Sequence, residues 1–161
     1  MKRLLMLTFL TAVTGLSGCA YSFRQKSNAP FKTIGIESFE NRTAEYGLTD
    51  RLTNIMAEAF INDGTLRVVP ADKAEAVLNG TLLRYERQPA QFDITDQVER
   101  YKVILECEVS VRLAASDSTL WTQTLTQEGL YATATETEEI GQQRAGDLLV
   151  QAILNKTTKS W

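Results

Sequence analysis

Apolar and polar residues alternate over thirteen positions near the middle of the chain, from Tyr101 to Leu113. Every second residue there is apolar: Tyr101, Val103, Leu105, Cys107, Val109, Val111 and Leu113. The residues between them are charged or polar, with Ile104 as the one exception. Successive side chains of a strand point to opposite faces of a sheet, so this period predicts one long strand with a buried face and a wet face.

Four further segments predict the other strands, and they span Thr33–Phe39, Leu66–Val69, Val77–Gln88 and Thr119 to about Tyr131. The Asn79-Gly80 pair is a hairpin signal where it stands alone. Here a hairpin would leave arms of only a few residues. We therefore favour a glycine bulge or a close backbone approach within a single strand.

Two segments have the period of an amphipathic helix. The first ends near Gly64, which is placed for a left-handed cap, and its stripe consists of Leu48, Leu52, Ile55, Met56, Ala59 and Phe60. It joins the first two strands, which we therefore expect to be parallel and linked by a right-handed crossover. The second helix runs from about Glu138 to Asn155, and we expect its inward side chains to be Ile140, Leu148, Leu149, Ala152 and Ile153.

These elements predict an α+β fold, a two-layer α/β sandwich. Two helices would pack on one face of a mixed sheet of four or five strands, and the opposite face would meet water or a partner. We expect a single domain over residues 31–156, with residues 157–161 as a frayed tail.

The beginning of the chain is organised like a secretory signal. Lys2 and Arg3 precede a mostly apolar run from Leu4 to Leu16. That run is too short to span a bilayer as a permanent helix, and it has the length expected of a signal peptide.

Residues 16–19, Leu-Ser-Gly-Cys, resemble the lipobox of bacterial lipoproteins. The resemblance implies that the signal peptide covers residues 1–18 and is removed. It also implies that Cys19 receives a diacylglycerol on its thiol and an acyl chain such as palmitate on its new amino group. Residues 19–30 would then be the lipidated N-terminus and tether. Ala20, where some lipoproteins have aspartate, points by the same resemblance to the outer membrane.

Composition excludes several classes of function. The chain has no histidine, which excludes Ser-His-Asp and Cys-His catalysis and histidine-ligated metals. Glycine-rich phosphate loops are absent from the sequence. Removal of Lys2 and Arg3 lowers the number of basic residues from 17 to 15, against 20 acidic ones, and the net charge moves from -3 to -5. A net negative charge does not favour nucleic-acid binding. We therefore predict no enzyme activity, no cofactor and no nucleic-acid partner.

Cys107 would have no intramolecular partner once Cys19 is modified, so no disulfide framework is expected. Because it falls on the buried face of the long strand, we interpret Cys107 as a small core residue and not as a reactive thiol.

A set of residues at characteristic spacing begins at the lipobox and continues through the first strand and turn: Gly18, Cys19, Tyr21, Phe23, Ile34, Ile36, Phe39, Asn41 and Thr43. With the later stretch ADKAEAVLNGTLLRYER, they make most of residues 18–87 resemble the lipopolysaccharide-assembly lipoprotein family, LptE. Ala20 departs from the glycine that is usual there. Asn41 and Thr43 suit turn hydrogen bonds as well as any functional role.

The resemblance implies a protein that sits as a plug inside a large outer-membrane β-barrel, LptD. Such a protein helps the barrel to assemble and helps to deliver lipopolysaccharide to the outer leaflet. It would be lipid-anchored on the periplasmic side of the outer membrane.

Lipopolysaccharide is anionic, so direct contact would use cations. Arg84, Arg87, Arg100 and Lys102 bracket the loop between the third strand and the long strand, and antiparallel pairing of those strands would gather them at one end of the sheet. Arginine can bind phosphate bidentately. The alternative is ordinary surface charge balanced by nearby acids: Glu86, Asp93, Asp96 and Glu99.

Two other functions remain open at this point, a lipoprotein regulator of a peptidoglycan synthase and a subunit of a lipoprotein secretion pore. Both classes share an Ile-x-Ile-x-x-Phe-x-Asn opening on an α/β domain. A regulator usually needs a longer tether to cross the periplasm, and the short one here favours a partner at the same membrane. A carboxylate-dependent hydrolase has only scattered acids in its favour.

Overall fold

The computed structural model describes residues 29–159. The expected signal peptide, the lipidation site Cys19 and the tether up to residue 28 therefore lie outside the described residues, as do Tyr21 and Phe23. The elements, in chain order, are β1 Thr33–Ile36, β2 Glu40–Asn41, α1 Leu48–Asp63, β3 Arg67–Val68, a short 3-10 helix Ala71–Lys73, β4 Ala76–Phe92, β5 Val98–Leu113, β6 Thr119–Ala132 and α2 Glu138–Lys159.

The strands form one mixed sheet in the order β3-β1-β4-β5-β6, and the two-residue β2 also pairs with β4. β1 runs parallel to both β3 and β4, which confirms the predicted parallel pair joined by α1. β4, β5 and β6 form an antiparallel meander of long strands. The predicted α+β architecture is confirmed. Within residues 29–159 the sheet has six strands where four or five were expected, because the two-residue β2 was not predicted.

The core lies between the sheet and the two helices. On β5 the alternate residues of the predicted pattern from Val103 to Val111 are fully buried, and both helices add side chains to the same cluster. We call the opposite surface of β4, β5 and β6 the open face. Ile104 lies on that face by alternation and is nevertheless only 6% exposed, so the pattern's one exception is covered by its neighbours.

Helix α1 follows its predicted stripe, with Leu48, Leu52, Met56 and Phe60 buried. Gly64 adopts φ +66° just after the last turn, and its N–H donates to the carbonyl of Phe60 at 3.2 Å. This is the left-handed cap expected of a glycine at that position.

The Asn79-Gly80 pair lies inside the single strand β4, as predicted. A side chain at Gly80 would overlap the ring of Phe39, so the glycine allows a close approach of this ring to the strand. The register shifts in β4 lie between Leu82 and Arg84 and at the far end of the strand, between Pro89 and Phe92, and not at the glycine.

Helix α2 corrects two predictions. Ile140 and Leu148 were expected inside, but they are 36% and 51% exposed, and the buried side is formed by Gly141, Gln142, Ala145, Gly146, Leu149, Val150, Ile153, Leu154, Thr157 and Thr158. The helix also continues through residues 157–159, where fraying was predicted. Thr157 and Thr158 are buried and donate their hydroxyls to the carbonyls of Ile153 and Leu154.

Close contact between α2 and β6 explains which side of α2 is buried. A β-carbon added at Gly129 would overlap the carbonyl oxygen of Gly141 and stand 2.6 Å from the backbone nitrogen of Ala145. Backbone therefore meets backbone at this crossing, and small residues of α2 must face the strand. Hydrophobic periodicity in the sequence is set by large side chains, so it does not indicate a contact made by glycines.

An ion pair fixes the same end of α2. Arg144 donates from both terminal nitrogens to the carboxylate of Glu136, at 2.6 and 2.9 Å, and one of these nitrogens also donates to the carbonyl of Leu130 at 2.6 Å. Glu136 in turn accepts the N–H of Ala132 at 2.8 Å. The Arg144 guanidinium, and then the Ala132 amide, hold the pKa of Glu136 at about 2.

We expect Gly129→Ala to destabilise the protein by about 2 kcal/mol or more, since the new methyl group must push α2 away from the sheet. Urea unfolding of the purified variant measures this. Thr124→Ala, at an exposed position on the same strand, is the matched control and should change stability by no more than about 0.5 kcal/mol. Equal midpoints for the two variants would contradict the close packing described here.

The Glu136–Arg144 pair should make stability depend on pH. A carboxylate whose folded pKa is about 2, against an ordinary 4.5, stabilises the fold fully above pH 4.5. That contribution is lost as the pH falls toward 2. In urea unfolding between these pH values, Glu136→Gln and Arg144→Ala should both lose stability less steeply than the wild type. Parallel profiles for all three proteins would rule out this role.

Candidate functional site

Antiparallel pairing of β4 with β5 brings the four predicted cations into the half of this hairpin nearest its turn. In the register, Arg84 lies opposite Glu106 and Arg87 opposite Val103. Arg87 therefore shares the helix-covered face with Val103, whereas Arg84 and Lys102 lie on the open face. The predicted gathering along the strands is present, but the cations are divided between two faces and do not form one cluster.

Arg84 and Lys102 are paired with acids on the open face. Arg84 contacts Glu106 at 2.8 Å and Glu86 at 3.2 Å, and these carboxylates raise its pKa. Lys102 contacts Glu128 of β6 at 2.8 Å. Exposed pairs of this kind contribute little to stability. Their effect here is to neutralise positive charge on the face that a partner would meet.

Arg87 joins the sheet to the start of α2. Its guanidinium contacts the Glu138 carboxylate at 3.1 Å and lies 4.6 Å from the ring centroid of Tyr101. That ring stacks on Tyr131, with centroids 5.9 Å apart. Cation–π contact and the ion pair together hold Arg87 in place, which suits a structural role.

Arg100 differs from the other three. Within residues 29–159 it forms no ion pair or hydrogen bond through its side chain. It lines a hollow of about 410 Å³ beside the end of β6, together with Leu130, Tyr131, Ala132, Thr135, Glu136 and Arg144. Its positive charge also helps to lower the pKa of Glu136. Of the four predicted cations, Arg100 therefore has the guanidinium that can reach an external anion without first leaving a carboxylate.

A half-buried polar network lies between the helices and β4. The hydroxyl of Tyr85 donates to Glu138 and accepts from the amide nitrogen of Gln142 at 3.0 Å. Gln142, only 6% exposed, also donates to Glu45 and accepts from Arg51, each at 3.0 Å. Burial, and then Glu138, raise the pKa of Tyr85 well above its usual value, so the hydroxyl stays protonated as a donor.

This network and the Glu136–Arg144 pair were not predicted from the sequence. The period of α2 indicates only that Gln142 is polar. Nothing local shows that it is buried, or that Glu45 of the loop before α1 and Arg51 of α1 approach it. The contacts join residues 91 and 97 positions apart. Such pairs become apparent only once the topology is known.

The open face is polar but carries many compensated charges. Thr122, Thr124 and Thr126 form an exposed row on β6. At the opposite end of the face, Arg112 contacts Glu37 at 3.3 Å and Asp117 at 3.1 Å. A partner at this face would therefore meet hydroxyl groups and neutralised ion pairs.

Asn41 and Thr43 form a turn between β2 and α1. The Asn41 side chain accepts from the Thr43 N–H and hydroxyl at 2.9 and 2.8 Å, and it donates to the carbonyl of Glu45 at 2.7 Å. Thr43 then accepts the Glu45 N–H at 3.2 Å. These bonds satisfy the loop backbone and support the structural interpretation of the pair.

Metal-binding clusters and membrane-spanning helices are absent from residues 29–159, and the cysteine in that range is buried. No group of three or more histidine, cysteine or acidic side chains within residues 29–159 could hold a metal ion. In the same range no helix has the length and apolar character needed to cross a membrane. Cys107 is fully buried, and burial raises the pKa of its thiol to about 12, so it is a core residue as predicted.

Several solved structures share this fold at low sequence identity. The PelC dodecamer from Paraburkholderia phytofirmans aligns with a TM-score of 0.60 and 14% identity, covering 83% of this chain and 95% of that one. A hypothetical protein from Chlamydia trachomatis aligns at 0.58 and 9%, covering 81% and 99%. An uncharacterized lipoprotein B from Nitrosomonas europaea aligns at 0.52 and 17%, covering 81% and 84%. At these identities the likeness concerns the fold alone.

Sequence comparison identifies the family. No curated protein sequence matches this chain. The family model described as "LptE: Lipopolysaccharide-assembly" matches residues 31–157, which is almost the whole of the described sandwich. The resemblance noted over residues 18–87 therefore extends through β5, β6 and most of α2, and the chain belongs to the lipopolysaccharide-assembly family, LptE.

Proposed function

We propose that this protein is an outer-membrane lipoprotein that acts as plug and assembly partner of the LptD β-barrel in lipopolysaccharide transport to the outer leaflet. The observation that carries the proposal is the family match over residues 31–157. Its site is a binding surface, so its function depends on position and surface complementarity.

In this proposal, the lipid anchor at Cys19 determines where the domain lies relative to the membrane. Lipidation at Cys19 would hold the domain at the periplasmic side of the outer membrane, and two or three acyl chains bind far more firmly than one. The described fold begins at Ala29, so about ten residues separate the expected lipid from the sandwich. A tether this short raises the effective concentration of the domain near a partner in the same membrane.

The open face supplies a surface that suits a polar barrel lumen. Arg84, Lys102 and Arg112 are each paired with carboxylates, and exposed threonines fill the β6 row. Desolvating an unpaired charge is costly, whereas hydroxyl groups and compensated pairs can exchange water for lumen side chains at lower cost. This favours the open face as the barrel-facing surface.

Direct contact with lipopolysaccharide is a further part of the proposal. Arg84, Arg87, Arg100 and Lys102 remain the candidate contacts, and the geometry ranks them. Arg100 forms no ion pair or side-chain hydrogen bond among the described residues, and it lines a hollow together with Glu136 and Arg144. The other three would have to leave Glu106, Glu138 or Glu128 to bind a phosphate.

Affinity purification of the full-length lipidated protein from outer membranes tests the plug role. We expect a large β-barrel to be recovered in a one-to-one ratio, because a plug is enclosed by its barrel. Cys19→Ser should shift the protein to the soluble periplasmic fraction, since it removes the acceptor of the lipid. Stoichiometric recovery of a peptidoglycan synthase, or of a ring of identical copies without a barrel, would replace the proposal with one of the two alternatives.

Binding of purified lipopolysaccharide to the full-length protein tests the contact. We expect Arg100→Ala to weaken binding about tenfold, as for loss of one charge-assisted hydrogen bond. Arg67→Ala is the matched control, because Arg67 is also an exposed arginine but lies at the opposite edge of the sheet. Equal affinities for the two variants would remove Arg100 from the site and leave the plug role untouched.

A further inference from the structure

A groove of about 460 Å³ lies between the two helices, lined by the second half of α1 and the middle of α2. We call it the interhelix groove. Its apolar floor consists of Ile55, Ala59, Val150 and Leu154, and the last two side chains are 1% and 6% exposed. Its rim is formed by exposed polar side chains of both helices. The groove therefore combines an apolar base with a polar edge, as a binding site for a short peptide segment does.

Charge at the rim of the interhelix groove is entirely negative. Glu58, Asp63 and Asp147 line it, and among the described residues no lysine or arginine does. None of the three carboxylates forms an ion pair within residues 29–159, although Asp63 accepts hydrogen bonds from the N–H and hydroxyl of Thr65. The last turn of α1 also has no basic residue, where the helix dipole favours a cation. A segment with positive charge and an apolar side chain would complement this groove.

The chain enters the sandwich beside one end of the groove. The carbonyl of Lys32 accepts the N–H of Arg67, the first residue of β3, at 3.0 Å. β3 follows shortly after the C-terminal end of α1, where Asp63 lines the groove. Residues that precede Ala29 therefore start from the end of the molecule at which the interhelix groove ends.

The expected tether has the charge and the apolar side chain that complement this groove. Residues 19–28 contain Arg24 and Lys26 and no acidic residue. Phe23 directly precedes Arg24 and provides a large apolar side chain. The tether is therefore a basic segment with an aromatic residue, and it is covalently attached beside an acidic groove.

The tether is also long enough to reach along the groove. Phe23 lies six residues before Ala29, and an extended chain spans about 20 Å over that number of residues. The groove follows α1 from Ile55 to Asp63, a distance of about 12 Å along the helix axis. Both basic residues of the tether can therefore lie within the length of the groove.

We propose that residues 21–28 bind in the interhelix groove, with Arg24 and Lys26 beside its carboxylates and Phe23 on its apolar floor. The inference goes beyond the proposed function and does not depend on the barrel. Covalent attachment gives the tether a high effective concentration at the groove, so ion pairs that are individually weak are sufficient. With the expected lipid on Cys19, the bound tether would hold this end of the helix layer near the membrane surface.

Paired cysteines in the full-length lipidated protein in detergent test the binding. Gln25→Cys is combined with Asn62→Cys, because Asn62 lines the groove. On mild oxidation we expect an intramolecular disulfide to form about fivefold faster than in Gln25→Cys combined with Ile61→Cys, since binding raises the local concentration at the groove. Ile61 is the matched control because it is the exposed neighbour of Asn62 and does not line the groove. The native Cys107 is buried and provides little background.

Trypsin gives an independent measurement, because Arg24 and Lys26 are themselves cleavage sites and binding protects them. The double variant Glu58→Gln/Asp147→Asn should increase the rate of cleavage in the tether about fivefold, as for the loss of two exposed ion pairs. Glu40→Gln/Asp72→Asn is the matched control, since both acids are exposed and lie outside the groove, and it should leave the rate unchanged. Mass spectrometry identifies the products that begin at Gln25 and Ser27.

Equal rates of disulfide formation for the two cysteine pairs would overturn the inference. Equal rates of tether cleavage in the wild type and both double variants would overturn it as well. So would a cross-link from Asn62→Cys to another protein of the outer membrane in place of the tether. None of these results changes the recovery of a barrel with the wild-type protein, so the plug role can stand or fail separately.

Discussion

Burial of one face of β5 is the interaction on which the rest of the structure depends. Val103, Leu105, Cys107, Val109 and Val111 are all fully buried beneath the helices. A strand with this pattern needs a cover on its apolar face and hydrogen-bonded neighbours for its backbone groups. β4 and β6 supply the neighbours, and α1 and α2 supply the cover. The open face is the consequence, because the same alternation places every second side chain of β5 away from the core.

Charge on the surface is largely compensated between elements distant in sequence. Lys102 on β5 forms an ion pair with Glu128 on β6. Arg87 on β4 pairs with Glu138 on α2, and Arg112 on β5 pairs with Glu37, which follows β1. These pairs contribute little stability individually, but they decide which cations can still act on a ligand. Arg100 stands apart for that reason. A surface on which Arg84, Lys102 and Arg112 are paired with acids, while Arg100 makes no ion pair within residues 29–159, is suited to holding a partner closely and contacting an anion at one place.

The sequence allowed the fold to be predicted well where each element carries its own period, as in α1 with its Gly64 cap and in β5. Helix α2 was predicted, but its inward positions Ile140 and Leu148 were wrong, because glycines without side chains decide how the helix packs on the sheet. Gly129 and Gly141 permit backbone contact, and this turns Ile140 and Leu148 outward. Positions of the candidate cations along β4 and β5 could be predicted, but their faces could not. The register shift near Leu83 changes which side of β4 each later residue occupies, and neither composition nor spacing reveals it.

Cys107 has a consequence for the chain in an oxidising compartment. Its sulfur is enclosed by the core, and its high pKa keeps it protonated. Disulfide exchange requires an accessible thiolate, so the folded protein can retain a lone thiol without forming mixed disulfides. Only a molecule that has lost the sandwich would expose the sulfur. Thiol adducts at Cys107 would therefore form only on unfolded or unassembled copies, and the adduct fraction would report the fraction of the protein that is not folded.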